Sequence, residues 1–125
     1  MKITKLRIEG TFHGEHLGGD DWRLDQPIGY YWSEDGEEHT VTVPEGYKTD
    51  RLSMPKRLRG IFQKDGRSNL PSILHDYMYG THSVSRKHAD KLLLAFMRYK
   101  GVKWHRMWIM YGFLRAFGWA AYRRD

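Results

Sequence analysis

The sequence predicts an α+β protein, with a small antiparallel sheet in the N-terminal half followed by about three helices, and three observations lead there. Hydrophobic spacing changes from loose alternation to a helical repeat near Leu70. Pro44, Gly46 and Pro55 punctuate the chain between the two regimes, so a shaped connector replaces a continuing strand. Charge divides at the same place: residues 1–50 carry eleven acidic against five basic side chains, net −6, and residues 51–125 carry sixteen basic against four acidic, net +12. A chain of 125 residues is expected to form one domain, mainly β and acidic over 1–50, a connector over 51–69, and mainly helical and basic over 70–125.

Each element has its own justification. The β-branched content of MKITKLRIEG favours a strand. His13 to Asp21, with Gly14, Gly18 and Gly19, reads as a loop. Trp22 to Trp32 alternates loosely, and Ser33-Glu34-Asp35-Gly36 supplies turn chemistry before a strand over His39 to Val43, which makes a hairpin. A short basic helix is expected over Pro55 to Phe62 and a polar loop over Gln63 to Asn69. Asn69 then offers a cap, Pro71 suits a first turn, and Ile73, Leu74, Tyr77 and Met78 fall at helical spacing before a stop at Gly80. Ser85 caps a second helix through Lys100, with Gly101 ending it and Ala89, Leu92, Leu93, Phe96 and Met97 as its buried stripe. A third helix, about Lys103 to Tyr122, is apolar almost all round, which predicts a place across the centre of the core.

Composition narrows the function classes. With 40% hydrophobic and 14% aromatic residues the chain is of the folded kind. The lack of cysteine excludes disulfides and thiolate metal sites. The opening residues have no apolar run of the signal-peptide type, and no export by that route is expected. The apolar stretch from Trp104 to Tyr122 contains His105, Arg106 and Arg115 and is broken by Gly112 and Gly118, so no membrane span is expected.

The polar residues raise the functional question. Asp90 has Leu93, Leu94 and Met97 on its own side of the second helix, so it is expected to be at least partly buried and to need partners. His75 or Asp76, one helix earlier in LHDYMYG, is the nearest candidate. A structural reading has His75 bonding Asp90 across two packed helices, with Asp76 capping or pairing with an arginine. A catalytic reading adds the connector: Asp50, His75, Asp76 and Asp90 form an oxygen-rich set with one imidazole, suited to a divalent metal such as Zn, Mn or Mg, with His75, Asp76 and Asp90 as the ligands. Ser53, His75 and Asp90 would alternatively serve as nucleophile, base and orienter, although no GxSxG elbow surrounds Ser53. Lys56, Arg57, Arg59, Lys64 and Arg67 offer a basic cluster for an anionic partner, nucleic acid among them. Trp104, Trp108 and Trp119 would form an aromatic interface in a protein that works by binding. His82 and His88 read as surface residues, and His13, His16 and His39 receive no role.

Three segments together, VPEGYKTDRLSMP, LPSILHDYMYG and SRKHADKLLLAFMRYKGV, carry a family resemblance. They resemble a family of small phage and prophage proteins known as domain of unknown function 1353. The matching positions are Val43, Pro44, Gly46, Tyr47, Thr49, Asp50, Ser53 and Pro55, then His75, Asp76 and Tyr79, then Arg86, Ala89, Asp90, Gly101 and Val102. Arg51-Leu52 stands where the family has an aromatic residue and alanine. The resemblance implies a phage origin, action in the host bacterial cytoplasm or the virion, and a meeting of Asp50, Ser53, His75, Asp76 and Asp90 in space. It implies no reaction. The expectation is therefore a non-enzymatic virion, assembly or host-interaction protein whose partner is a phage or host protein. The alternative is a small metal-dependent hydrolase, lysis-associated, using Asp50, His75, Asp76 and Asp90.

Overall fold

The structure is a computed structural model that describes residues 2–19, 21–49, 66–119 and 122. Among these residues two small antiparallel sheets precede three helices, so the chain is α+β. The strands are β1 (Ile3–Glu9), β2 (Gly14–Gly18), β3 (Asp21–Leu24), β4 (Ile28–Glu34), β5 (Glu37–Val43) and β6 (Lys48–Thr49); the helices are α1 (Asn69–Thr81), α2 (Arg86–Tyr99) and α3 (Trp104–Phe117). One sheet has the order β1-β4-β5 and the other β2-β3-β6.

The hairpin β4-β5 is set by its turn. Asp35 and Gly36 both have positive φ, 50° and 86°, the backbone of a two-residue turn whose twist matches the strands it joins. Along β4, Ile28, Tyr30 and Trp32 turn into the core while Gly29 and Tyr31 face outward. β1 is one of the sheet's two edges, and it carries a bulge between Thr4 and Arg7 with Lys5 at φ 54°. A bulge flanked by Lys2, Lys5 and Arg7 blunts the exposed edge against further strand pairing.

The glycine-rich stretch expected to be a loop instead contains β2, paired with β3 from Gly14 opposite Leu24 to Gly18 opposite Asp21. Gly14 lies so close to its neighbour that a Cβ there would sit 2.8 Å from the Arg23 carbonyl oxygen. At this position glycine therefore permits pairing and does not mark a break. The connector closes the small sheet, because Gly46 N donates to Leu24 O (2.8 Å), Leu24 N donates to Tyr47 O (3.0 Å), and β6 pairs with β3.

The main core lies between the β1-β4-β5 sheet and helices α1 and α2, and it joins Leu24, Ile28, Tyr30, Trp32 and Val43 to Ile73, Leu74, Met78, Leu92 and Phe96. Tyr30 adds a tie: its hydroxyl donates to the Leu70 carbonyl at 2.6 Å, at the entry of α1. Gly80 does not stop α1; the helix continues to Thr81 and ends on His82, which adopts the left-handed conformation at φ 53°. α2 starts and stops as expected, with Ser85 Oγ accepting from His88 N (3.2 Å) and Gly101 at φ 81° turning the chain out.

The third helix departs most from expectation. It does not cross the centre of the core but lies at its margin, where Met107, Met110 and Leu114 join Leu93 and Met97 of α2 and Val102 in a second, smaller cluster. Those three residues form a narrow i, i+3, i+7 stripe with Phe113 packed beside it, and much of the helix's remaining apolar surface is open. Trp104 (72% exposed), Trp108 (49%), Ile109 (44%), Phe117 (62%) and Trp119 (54%) stand in the open. Among the described residues no helix is long and apolar enough to cross a membrane.

A buried carboxylate site joining three helices

His75 and Asp76 are consecutive on α1, so their side chains leave the helix about 100° apart, and they go to different neighbours. His75, 1% exposed, turns inward, and its Nε2 lies 2.7 Å from Oδ1 of Asp90 on α2, which is fully buried. One turn further along α1, the Tyr79 hydroxyl donates to the same oxygen at 2.5 Å. The i, i+4 spacing of His75 and Tyr79 puts both on one face, with ring centroids 4.0 Å apart. From α3, Arg115 Nη1 donates to Asp90 Oδ2 at 2.9 Å. Arg86, one turn before Asp90, keeps its Nη1 4.0 Å from Oδ2 and donates at 2.7 Å to the Leu114 carbonyl near the C-terminal end of α3. A guanidinium there suits the negative end of the helix.

These contacts explain how a carboxylate survives in the core. Burial alone pushes the Asp90 carboxyl up, but hydrogen bonds from His75, Tyr79 and Arg115 outweigh it and hold the group below the ordinary carboxylate value. The Tyr79 hydroxyl is pushed up, first by burial and then by the carboxylate it donates to. Asp90 therefore works as an ionised acceptor whose two oxygens are both occupied.

Asp76 faces the other way. It is half-buried, and its Oδ2 accepts from Thr49 Oγ1 of β6 at 2.7 Å, joining α1 to the small sheet. The contact is made by a threonine that directly precedes Asp50. Asp50, Ser53, Lys56, Arg57, Arg59 and Lys64 lie outside the described residues, so the expected meeting at Asp50 and Ser53 and most of the basic cluster fall there too. Arg67, the cluster's described member, donates to the Gly101 carbonyl at 3.0 Å. Among the described residues no group of three His, Cys, Asp or Glu is placed to hold a metal ion. Of the three expected ligands, His75 and Asp90 meet each other, and Asp76 meets Thr49.

Two further contacts lie outside the expectations. His88, read as a surface residue, reaches Glu34 at the end of β4, where Trp32 Nε1 also donates to Glu34 at 2.9 Å. Burial raises the Glu34 carboxyl, but His88, Trp32 and the nearby His39 together bring it below its usual value. Gly118 lets the end of α3 approach the buried site, since a Cβ there would stand 2.9 Å from the Tyr79 hydroxyl. Tyr79 and Arg86 were marked by family resemblance only, and Arg115 by nothing but its charge within an apolar helix.

The fold and site define an α+β protein whose three described helices are tied together through one buried aspartate. The chain belongs to the family described as Protein of unknown function (DUF1353), whose model matches residues 22–113. No curated protein and no solved structure matches it.

Proposed function

We propose that this chain is a small phage-encoded protein that acts by binding and not by catalysis, as a virion or assembly component or a host-interaction factor in the host bacterial cytoplasm. The observation that carries the reading is the aromatic face of α3 and the turn after it, where Trp104, Trp108 and Trp119 are about half or more exposed. Tryptophan is costly to leave in water and is enriched at the centres of interfaces, so a run of such residues on one helix marks a surface that is covered in the working state. The buried polar site supports the same reading. A general base must reach a substrate proton, and His75 is enclosed and committed to Asp90.

The metal-dependent hydrolase using Asp50, His75, Asp76 and Asp90 has less to stand on, because both Asp90 oxygens already accept hydrogen bonds. One experiment separates the two. A photo-crosslinking amino acid in place of Trp104, in phage-producing cells, is expected to capture one predominant phage or host protein, while the same group in place of Lys87 captures none. Crosslinking that does not differ between the positions, together with a rise in wild-type Tm on adding Zn, Mn or Mg that His75→Ala abolishes, would turn the assignment to the hydrolase.

A further inference from the structure

Beside the exposed aromatic face, a groove of about 310 Å³ runs between β1, α2 and α3. Its floor is apolar, formed by Ile3, Leu94, Ala95 and the rings of Trp108 and Tyr111, which meet edge to face with centroids 5.7 Å apart. Among the described residues two cations line it, Lys91 and Arg98, and no acidic side chain does. The pair is seven residues apart on α2, so their Cα atoms are separated by roughly 10 Å along one side of the helix. Neither forms an ion pair with a described residue, whereas Arg86 and Arg115 are both engaged at Asp90.

Charge and shape together select the occupant. Residues 86–119 contain eight Lys and Arg against one acid, Asp90, and that acid is buried. A second copy presenting the same face would bring like charge against like, which costs affinity. The acidic half of a second copy fits no better, because all the large exposed hydrophobics among the described residues lie between Tyr99 and Trp119. A lipid surface favours a projecting apolar ridge, and this site is concave with its cations in the wall. A nucleic acid would need a longer basic track than two side chains, with rings open on a face to stack bases.

We propose, building on the binding function above, that the groove docks an acidic segment of a partner protein. One apolar side chain of that segment sits between Leu94, Ala95 and Trp108, and carboxylates on either side of it meet Lys91 and Arg98. Apolar burial supplies affinity, and the paired charges select an acidic partner and set its register.

The probe is a short fluorescein-labelled peptide with Glu and Asp residues around a central Leu-Phe pair, titrated with the full chain and followed by anisotropy. Two control peptides carry Gln and Asn for the acids, or Ser for the Leu-Phe pair. The expected result is saturable binding of the probe, weakened about tenfold or more in either control, in Lys91→Glu/Arg98→Glu and in Trp108→Ala. Lys87→Glu/Lys100→Glu, which makes the same charge change on the same helix outside the groove, is expected to keep the binding, and an unchanged Tm shows that each variant is folded. The proposal is overturned if the amide control binds as well as the acidic peptide, or if no peptide binds. It is equally overturned if a single-stranded oligonucleotide or phosphatidylserine-containing vesicles bind more tightly than the probe and lose that binding in Trp108→Ala. Crosslinking from position 104 is read without this peptide. Crosslinks without peptide binding would remove the acidic occupant alone, and loss of both would remove the binding function itself.

Discussion

Asp90 accepts from three donors contributed by two helices other than its own, and its loss should cost more than that of any single donor. Replacing it with asparagine leaves His75, Tyr79 and Arg115 facing a neutral group, and breaking one side of a buried ionic arrangement costs on the order of 3 kcal/mol. Tyr79→Phe removes one hydroxyl from the same oxygen and should cost roughly 1–2 kcal/mol. Denaturant unfolding of the two variants at neutral pH checks that order. Acid adds a second reading. Because the folded state holds the Asp90 carboxyl below its ordinary value, the unfolded chain binds more protons in acid. The stabilisation is complete above about pH 4 and is lost as pH falls through the depressed folded value. Wild-type stability should thus fall steeply at the acid end, whereas Asp90→Asn starts lower and changes less. Equal acid slopes in the two proteins would place the linkage elsewhere, with Glu34 next in line.

At the scale of elements, the legible parts were those in which a sequence pattern and its structural cause coincide. Ser85 and Gly101 bound α2 because a cap and a left-handed stop are local chemistry. Leu93, Leu94 and Met97 on Asp90's own side of its helix pointed to a partner on the preceding helix, His75 or Asp76, and His75 is the one that meets it. Other features depended on what lay opposite. Gly14 permits a strand only because the Arg23 carbonyl comes close, and β6 is a two-residue strand that exists through its partner β3. An apolar pattern running round α3 fixes neither its rotation nor its cover, so Arg115 could not be assigned to Asp90 from sequence. The two glycines of this region show the same dependence on surroundings and should respond with opposite signs. Gly112 is inside α3 with nothing within 4 Å of an added Cβ, so Gly112→Ala should stabilise by about 0.5–1 kcal/mol. At Gly118 the added Cβ would meet the Leu114 carbonyl oxygen at 2.6 Å and the Tyr79 hydroxyl at 2.9 Å, so Gly118→Ala should destabilise by about 1–3 kcal/mol. Thermal unfolding of the pair reads both signs, and a matching sign would contradict the placement of α3 against Tyr79.

Over the whole molecule, stability is distributed in the way the two apolar clusters are. The larger cluster interlocks both sheets with α1 and α2, so opening any one of those elements exposes residues of the others. α3 contributes three buried side chains and the partly buried Phe113 to a separate, smaller cluster and is also held by Arg115 on Asp90 and by Arg86 on the Leu114 carbonyl. An element with few buried apolar contacts opens at a lower free energy than the global transition. Native-state hydrogen exchange should therefore find the amides of α3 exchanging through a local opening, and those of β4 and α2 only through global unfolding. Arg115→Met should lower the α3 opening energy and the global one by about the same amount, because its contact with Asp90 is absent from both the opened and the unfolded chain. A partner that covers Trp104, Trp108 and Trp119 would raise the same opening energy by the free energy of its binding. The helix that presents the binding face is then also the least firmly held, and partner binding should slow exchange in α3 well before it alters exchange in the sheet. If α3 instead exchanged together with α2 in the free chain, the three helices would form one cooperative unit, and docking would be recognition by a rigid surface.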